Sequence, residues 1–291
     1  MATAHRELAA PRAAGVDETT FLRRGAGSFG QRWCTSIVDL ATPRLLDVVA
    51  GRSSVVITDW IAVRPQEWAD AIAVTVCDPF RPYAHGLRKA IPDAELVIDH
   101  YHVVKLGLDT LDQVRINVTR ETLGRRGAKG DHLFDLRRRL RTAPERLTDT
   151  HYGALAAGLG HGDPHGHVRE AWRLAHQLRR IGAASTARGA RRRLDAVITG
   201  ALASPRPEVR KLGRTLREWR TPIFARYRHG RITNAAAEAF NTLIKKLKRA
   251  GHGYRNFHNY RLRLLTACGK IPVTQTRTTA RLRTRRPRLD E

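Results

Sequence analysis

Three carboxylates in this chain stand where the residue types and spacing could do phosphate chemistry. Asp17 closes a first strand-like run in Gly15-Val-Asp-Glu-Thr-Thr-Phe21, Asp78 follows the β-branched run from Ile72 to Cys77, and Glu238 lies in Thr233-Asn-Ala-Ala-Ala-Glu-Ala-Phe-Asn241. Carboxylates that end adjacent central strands gather at one edge of a sheet, where a helix can bring a third. Such a cluster repels itself and is tolerated mainly when divalent cations neutralise it. Mg²⁺ suits this setting, because it takes few carboxylates and lets phosphate oxygens complete its shell. Two ions about 4 Å apart would activate a water or sugar hydroxyl and stabilise the leaving oxygen of an in-line displacement. The competing reading is ordinary: strands often end at Asp for reasons of turn geometry, and a single Glu on a helix is usually solvated. Spacing alone leaves both open.

The setting of Glu238 is unusual. From Trp219 to Leu289 the chain has 71 residues, 18 of them Lys or Arg, and Glu238 is the one acid among them. The stretch Thr233–Ala250 has a strong helical pattern, with Gly251 as its stop. At 100° per residue, Glu238, Asn241, Lys245 and Lys248 fall within about 80° of one another. Phe240, Leu243, Ile244 and Leu247 fall on the opposite side and predict an anchored face.

The whole chain of 291 residues carries a formal net charge of +26, from 53 basic and 27 acidic residues. That excess points to a polyanionic partner. Only 8 of the basic residues are Lys, which leaves 53 − 8 = 45 Arg. Arg suits bidentate phosphate contact, although a GC-rich genome also inflates it. Cys34, Cys77 and Cys268 are widely separated, which argues against a disulfide framework or cysteine zinc site and fits a reducing cytoplasm. No apolar run is long enough to span a membrane, and the first residues lack the pattern of a signal peptide.

The elements needed to position the acids are legible in outline. Strand-like runs at Ala13–Asp17, Arg32–Leu40 and Arg44–Val49 are followed by a Ser-capped helix over 53–63. The runs Ile72–Cys77 and Glu95–Ile98 read as strands buried on both faces. A helix lies between them, and a long helical region runs from about His100 to Leu123. This order predicts an α/β layout with a mixed sheet. We divide the chain into a disordered stub (1–12), a first part of the α/β domain (13–124), an all-helical insertion (125–230), closing helices (231–272) and a basic flexible tail (273–291). The His161–His167 cluster within the insertion reads as an incidental loop feature rather than a metal site.

The blocks Gly15–Phe21, Cys77-Asp-Pro-Phe-Arg-Pro-Tyr83, Val97-Ile-Asp-His-Tyr-His-Val-Val-Lys105, Thr233–Asn241 and Lys245–Leu265 together resemble the bacterial insertion-sequence transposases of the ISL3 (ISL-three) family. The similarity runs in order from about Gly15 to Gly269. It implies an RNase H-like mixed sheet flanked by helices, with an all-helical insertion before the last catalytic helix. It also implies a DDE triad of Asp17, Asp78 and Glu238, and two Mg²⁺ ions per site for which Mn²⁺ can substitute. Asp99 is the alternative second acid, and Asp99 and His102 otherwise support the ligands. The partner implied is DNA, both transposon ends and target, bound by a homodimer or larger assembly in the bacterial nucleoid.

Asn241 is expected to support the site or touch DNA. Lys245, Lys248, Arg249, His252, Arg255 and Arg261 are expected to contact the DNA backbone. For Tyr254, Phe257 and Tyr260 the equal alternative is a helical hairpin that closes the core. The chain also departs from the family. Similar transposases carry a zinc finger and a DNA-binding helical module ahead of the first catalytic strand, and three cysteines cannot supply that finger. The expectation is therefore an N-terminally truncated transposase that cleaves and transfers DNA strands. The alternatives are an inactive remnant that only binds DNA, and a structure-selective nuclease of the same fold.

Overall fold

A computed structural model describes residues 9–22, 32–254 and 256–269. The chain opens with β1 (Ala13–Thr20), β2 (Trp33–Asp39) and β3 (Arg44–Ala50), followed by α1 (Ser54–Ala62) and α2 (Gln66–Asp70). Then come β4 (Val74–Cys77), α3 (Arg81–Ala90), β5 (Glu95–Ile98) and α4 (His100–Leu123). The expected helical insertion contains α5 (His132–Asp135), α6 (Arg137–Arg141), α7 (Asp149–Gly162), α8 (His167–Gly182), α9 (Ala187–Ala203), α10 (Pro207–Glu218) and α11 (Arg220–Ala225). The chain closes with α12 (Ala235–Ala250) and α13 (Phe257–Cys268). The expected tail 273–291 and most of the stub 1–12 lie outside the described residues.

The sheet order is β3-β2-β1-β4-β5, with β1–β3 an antiparallel meander and β4 and β5 parallel to β1. Short strands buried on both faces, the inner β4 and the edge strand β5, explain the continuous apolar runs at 74–77 and 95–98. The first strand is longer than its sequence suggests. It continues past Asp17 because β2 keeps pairing with it, through Glu18↔Thr35 to Thr20↔Trp33. Asp17 is therefore inside a strand rather than at its end. Its parallel neighbour does stop there: the register Gly15↔Val76 has an offset of 76 − 15 = 61, which puts Asp17 level with Asp78, just beyond β4.

Helices cover both faces. On one, Val16 and Cys77 pack with Ile57, Tyr83 and Leu87, and this cluster runs through Val103, Leu111 and Val114 of α4 to Leu174, Leu178 and Leu194 of the insertion. The α4–α8 contact depends on Gly107, where a Cβ would lie 2.7 Å from Leu178 Cδ1. On the other face, Cys34, Val38 and Leu45 meet Ala237, Phe240 and Ile244 of α12 and Tyr260 and Leu264 of α13. Tyr254 and Phe257 are partly buried against that cluster, and Phe21 lies 5.2 Å from Phe257 and 5.1 Å from Tyr260 between ring centroids. These aromatics close the core.

A charged network ties α13 and α1 to the sheet edge. Asp47 on β3 is buried and accepts from Arg261 Nε and Nη2 at 2.7 and 2.9 Å, and from Trp60 Nε1 at 2.9 Å. Removing one partner of a buried, hydrogen-bonded ion pair strands the other. Arg261 is about a quarter exposed, so the loss is smaller than for a fully buried pair. Arg261→Ala is expected to lower stability by about 2 kcal/mol, seen as a shifted urea midpoint; an unchanged midpoint would contradict this role.

Candidate active site

β1 and β4 bring Asp17 and Asp78 to one level, and α12 crosses that face with Glu238. The helix is fixed at two asparagines. Asn234, fully buried, donates from its backbone N–H to Asp99 Oδ1 at 3.0 Å and from Nδ2 to the Val16 carbonyl at 3.1 Å. One helical stretch later, Asn241 Nδ2 donates to Asp17 Oδ2 at 2.7 Å, while its Oδ1 accepts from Ser36 Oγ at 3.0 Å. Helical spacing groups Asn241 with the outward residues, but it is 4% exposed and turned into the sheet. Its amide finds there the partners that a buried amide requires. Gly15 leaves room for this: a Cβ would lie 2.4 Å from Asn234 Oδ1.

Asp17 is buried and its Oδ1 also accepts from the Glu18 backbone at 2.7 Å. Burial, followed by repulsion from Asp78, pushes its carboxyl up to about 7, against the lowering effect of the backbone hydrogen bond. Burial likewise raises Asp78, and the His102 hydrogen bond opposes it. His102, in the first turn of α4, reaches between two acids: Nδ1 lies 2.7 Å from Asp78 Oδ2 and Nε2 lies 3.5 Å from Glu238 Oε1. Burial disfavours charge on this ring, yet the two carboxylates overcome that and raise it to about 10. An imidazolium is thus the counter-charge of the cluster.

Asp99 serves a different purpose. It is 3% exposed, caps α4 by accepting from the Tyr101 N–H through Oδ2 at 2.9 Å, and holds Asn234 through Oδ1. One ligand atom each from Asp99, His102 and Glu238 also lie within 4.8 Å of one another, a spacing compatible with a cation. The two possible ligand sets share Glu238. Hydrogen-bond saturation separates them, since both Asp99 oxygens already fix backbone. Asp78 Oδ1 is buried without a hydrogen-bond partner among the described residues, and Glu238 Oε1 has the long His102 contact at 3.5 Å in place of a close hydrogen bond. Hard, under-satisfied oxygens beside two carboxylates with raised pKa values fit Mg²⁺ or Mn²⁺.

The basic positions separate by exposure. Lys245, Arg249 and His252 are exposed along α12 and the following turn. Lys248 donates to the Thr20 carbonyl at 2.8 Å. Arg261 is engaged by Asp47, and Arg255 lies outside the described residues. The residues that sequence reasoning passed over are Asn234 and Ser36. Their one signal is polarity at positions flanked by buried neighbours.

A five-stranded sheet in this order, with one acid on its central strand, one just past the neighbouring strand and a third on the closing helix, is the RNase H-like α/β architecture. The family described as "Transposase", that of the ISL3-type DDE enzymes, matches residues 14–264, and the chain belongs to it. It is 25% identical over 243 residues to the transposase for insertion sequence element IS1001 of Bordetella parapertussis, covering 82% of this chain. The chain spans 58% of that relative's length. No solved structure matches. Among the described residues, no helix is long and apolar enough to cross a membrane.

The charges set a pH dependence. Asp17, raised to about 7 in the fold from 3.8, costs stability increasingly as pH rises through that interval. His102, raised to about 10, contributes stability that is full below 6.5 and is lost as pH rises through 10. Both trends have the same sign. In a chelator, the melting temperature should fall between pH 5 and pH 9. Mn²⁺ should restore it by an amount that grows with pH, and Asp17→Asn should abolish most of that gain. A Mn²⁺ effect equal at all pH values, or absent, would contradict the assignment of the cluster.

Proposed function

We propose that the chain is the catalytic part of a DDE transposase that cleaves DNA and transfers the freed strand, using Asp17, Asp78 and Glu238 with two Mg²⁺ ions. The observation that carries this reading is the level placement of Asp17 and Asp78 on adjacent parallel strands beneath the helix bearing Glu238. Bound divalent ions would supply Lewis acidity and a nucleophile at neutral pH. The chain's own groups supply the rest. Asn241 and the Glu18 N–H orient Asp17, and Asn234 and Asp99 fix the start of α12 so that Glu238 faces the strands. His102 holds Asp78 and Glu238 in place by carrying positive charge between them until cations take over that charge.

The substrate class follows from the charge pattern. Lys245 and Arg249 continue from Glu238 along one helix, His252 follows in the next turn, and together they offer the phosphate backbone a sequence-independent track. Assembly as a homodimer or larger complex on paired DNA ends belongs to this reading. So does His102 in its supporting role.

Losing one ligand of a two-metal site removes several kcal/mol of transition-state stabilisation. Asp78→Asn should therefore reduce Mg²⁺-dependent nicking and strand transfer by on the order of 10³-fold. DNA affinity, measured by anisotropy in a chelator, should stay within about twofold, since backbone phosphate contacts dominate it. Retained cleavage in that variant would exclude the triad.

A further inference from the structure

A cavity of about 790 Å³ opens beside Glu238, between α4, the insertion helix α8 and the start of α12. Its volume lies in the range of about 300–1,000 Å³ that accommodates small molecules, nucleotides among them, and cannot hold a duplex. The walls divide by chemistry. Tyr101, Leu108 and Pro144 make an apolar side, and the Tyr101 side chain is 60% exposed. Arg180 and Arg226 stand on the cationic side. Arg226 is the unusual one: it is 7% exposed, and its Nε and Nη1 have no hydrogen-bond partner among the described residues. Its Nη2 donates to the Arg231 carbonyl at 3.3 Å, while Nε and Nη1 are turned away from solvent, so an entering anion meets Arg180 first with the Arg226 charge behind it. Arg180 is exposed, and Glu145 in the same wall is already taken by Arg179 at 2.6 Å.

We propose that this cavity receives one unpaired nucleotide of the strand being processed, its base against Tyr101 and Leu108 and its phosphate at Arg226 and Arg180. The proposal rests on the transposase reading, because only a phosphodiester held at Glu238 places a strand at the cavity mouth. An aromatic face accepts any base, so recognition is of an unpaired state rather than of a sequence. The insertion then has a role in the reaction: α8 forms the wall opposite α4 and confines the strand end next to the acids.

The test uses the full chain and two DNA hairpins, one blunt and one ending in a short single-stranded 3′ overhang with 2-aminopurine at its tip. Binding is read in a chelator. The overhang should bind roughly tenfold more tightly than the blunt end, with a change in 2-aminopurine fluorescence on binding. Tyr101→Ala and Arg180→Gln, both at exposed positions, should each erase most of that preference while leaving blunt-end affinity unchanged, and Tyr101→Phe should keep it. Arg226→Gln should behave like Arg180→Gln wherever it folds. Equal affinity for the two hairpins, or a preference insensitive to Tyr101 and Arg180, would overturn the proposal. Mn²⁺-dependent nicking is assayed in parallel on the wild type. Nicking without overhang preference overturns only the cavity's role, whereas absence of nicking overturns the transposase reading and leaves the cavity to be decided by the chelator measurement.

Discussion

Like charges forced together in a dry setting are the constraint on which the rest of the structure depends. Asp17 and Asp78 share one level of the sheet and both are mostly buried; Asp78 raises the cost of ionising Asp17, and Asp99 and Glu238 raise that of Asp78. Left alone, such a cluster would drive the central strands apart or keep protons it should release. The fold meets this with fixed partners on every side: Asn241 and a backbone N–H on Asp17, and the His102 ring on Asp78. The arrangement holds the acids together while leaving Asp78 Oδ1 without a hydrogen-bond partner among the described residues. That combination is what a metal-dependent phosphoryl-transfer site requires.

The same constraint explains why α12 and α4 are anchored as they are. Asp99 links the end of β5 to both helices, capping one and holding the residue just before the other. His102 and Glu238 therefore approach the strand acids from elements joined at a single buried carboxylate. The helical insertion packs along α4 through a core shared with the sheet, so it braces the helix that carries His102. Its place beside the site follows from topology: it leaves α4 and returns to α12, the two helices that flank Glu238.

Much of this was legible in the sequence because strong physical signals mark it. The apolar runs Ile72–Cys77 and Glu95–Ile98, the Ser53 cap and the helical region from about His100 to Leu123 mark elements whose observed limits are close to these. Asp78 and Glu238 stood out because each is an acid in an apolar or basic neighbourhood. The extent of β1 was missed because residues 18–20 are polar and owe their strand form to pairing with β2. Asn241 supports Asp17, one of its two expected roles, but its burial is invisible to helical periodicity, which sorts by hydrophobicity, because it is decided by Asp17 and Ser36, more than 200 positions away. Arg261 reads as a DNA contact in a basic block, and only the tertiary position of Asp47 reveals its structural partner. Long-range polar pairs leave no local trace.

The central claim is that Asp17, Asp78 and Glu238, rather than Asp99, His102 and Glu238, hold the cations. Anomalous diffraction from crystals soaked in Mn²⁺ tests it most directly. The account predicts density touching the carboxylates of Asp17 and Asp78 with Glu238 alongside, and His102 released from at least one of its acids. Density held by Asp99, His102 and Glu238, with Asp17 still bound only to Asn241 and the Glu18 backbone, would contradict it.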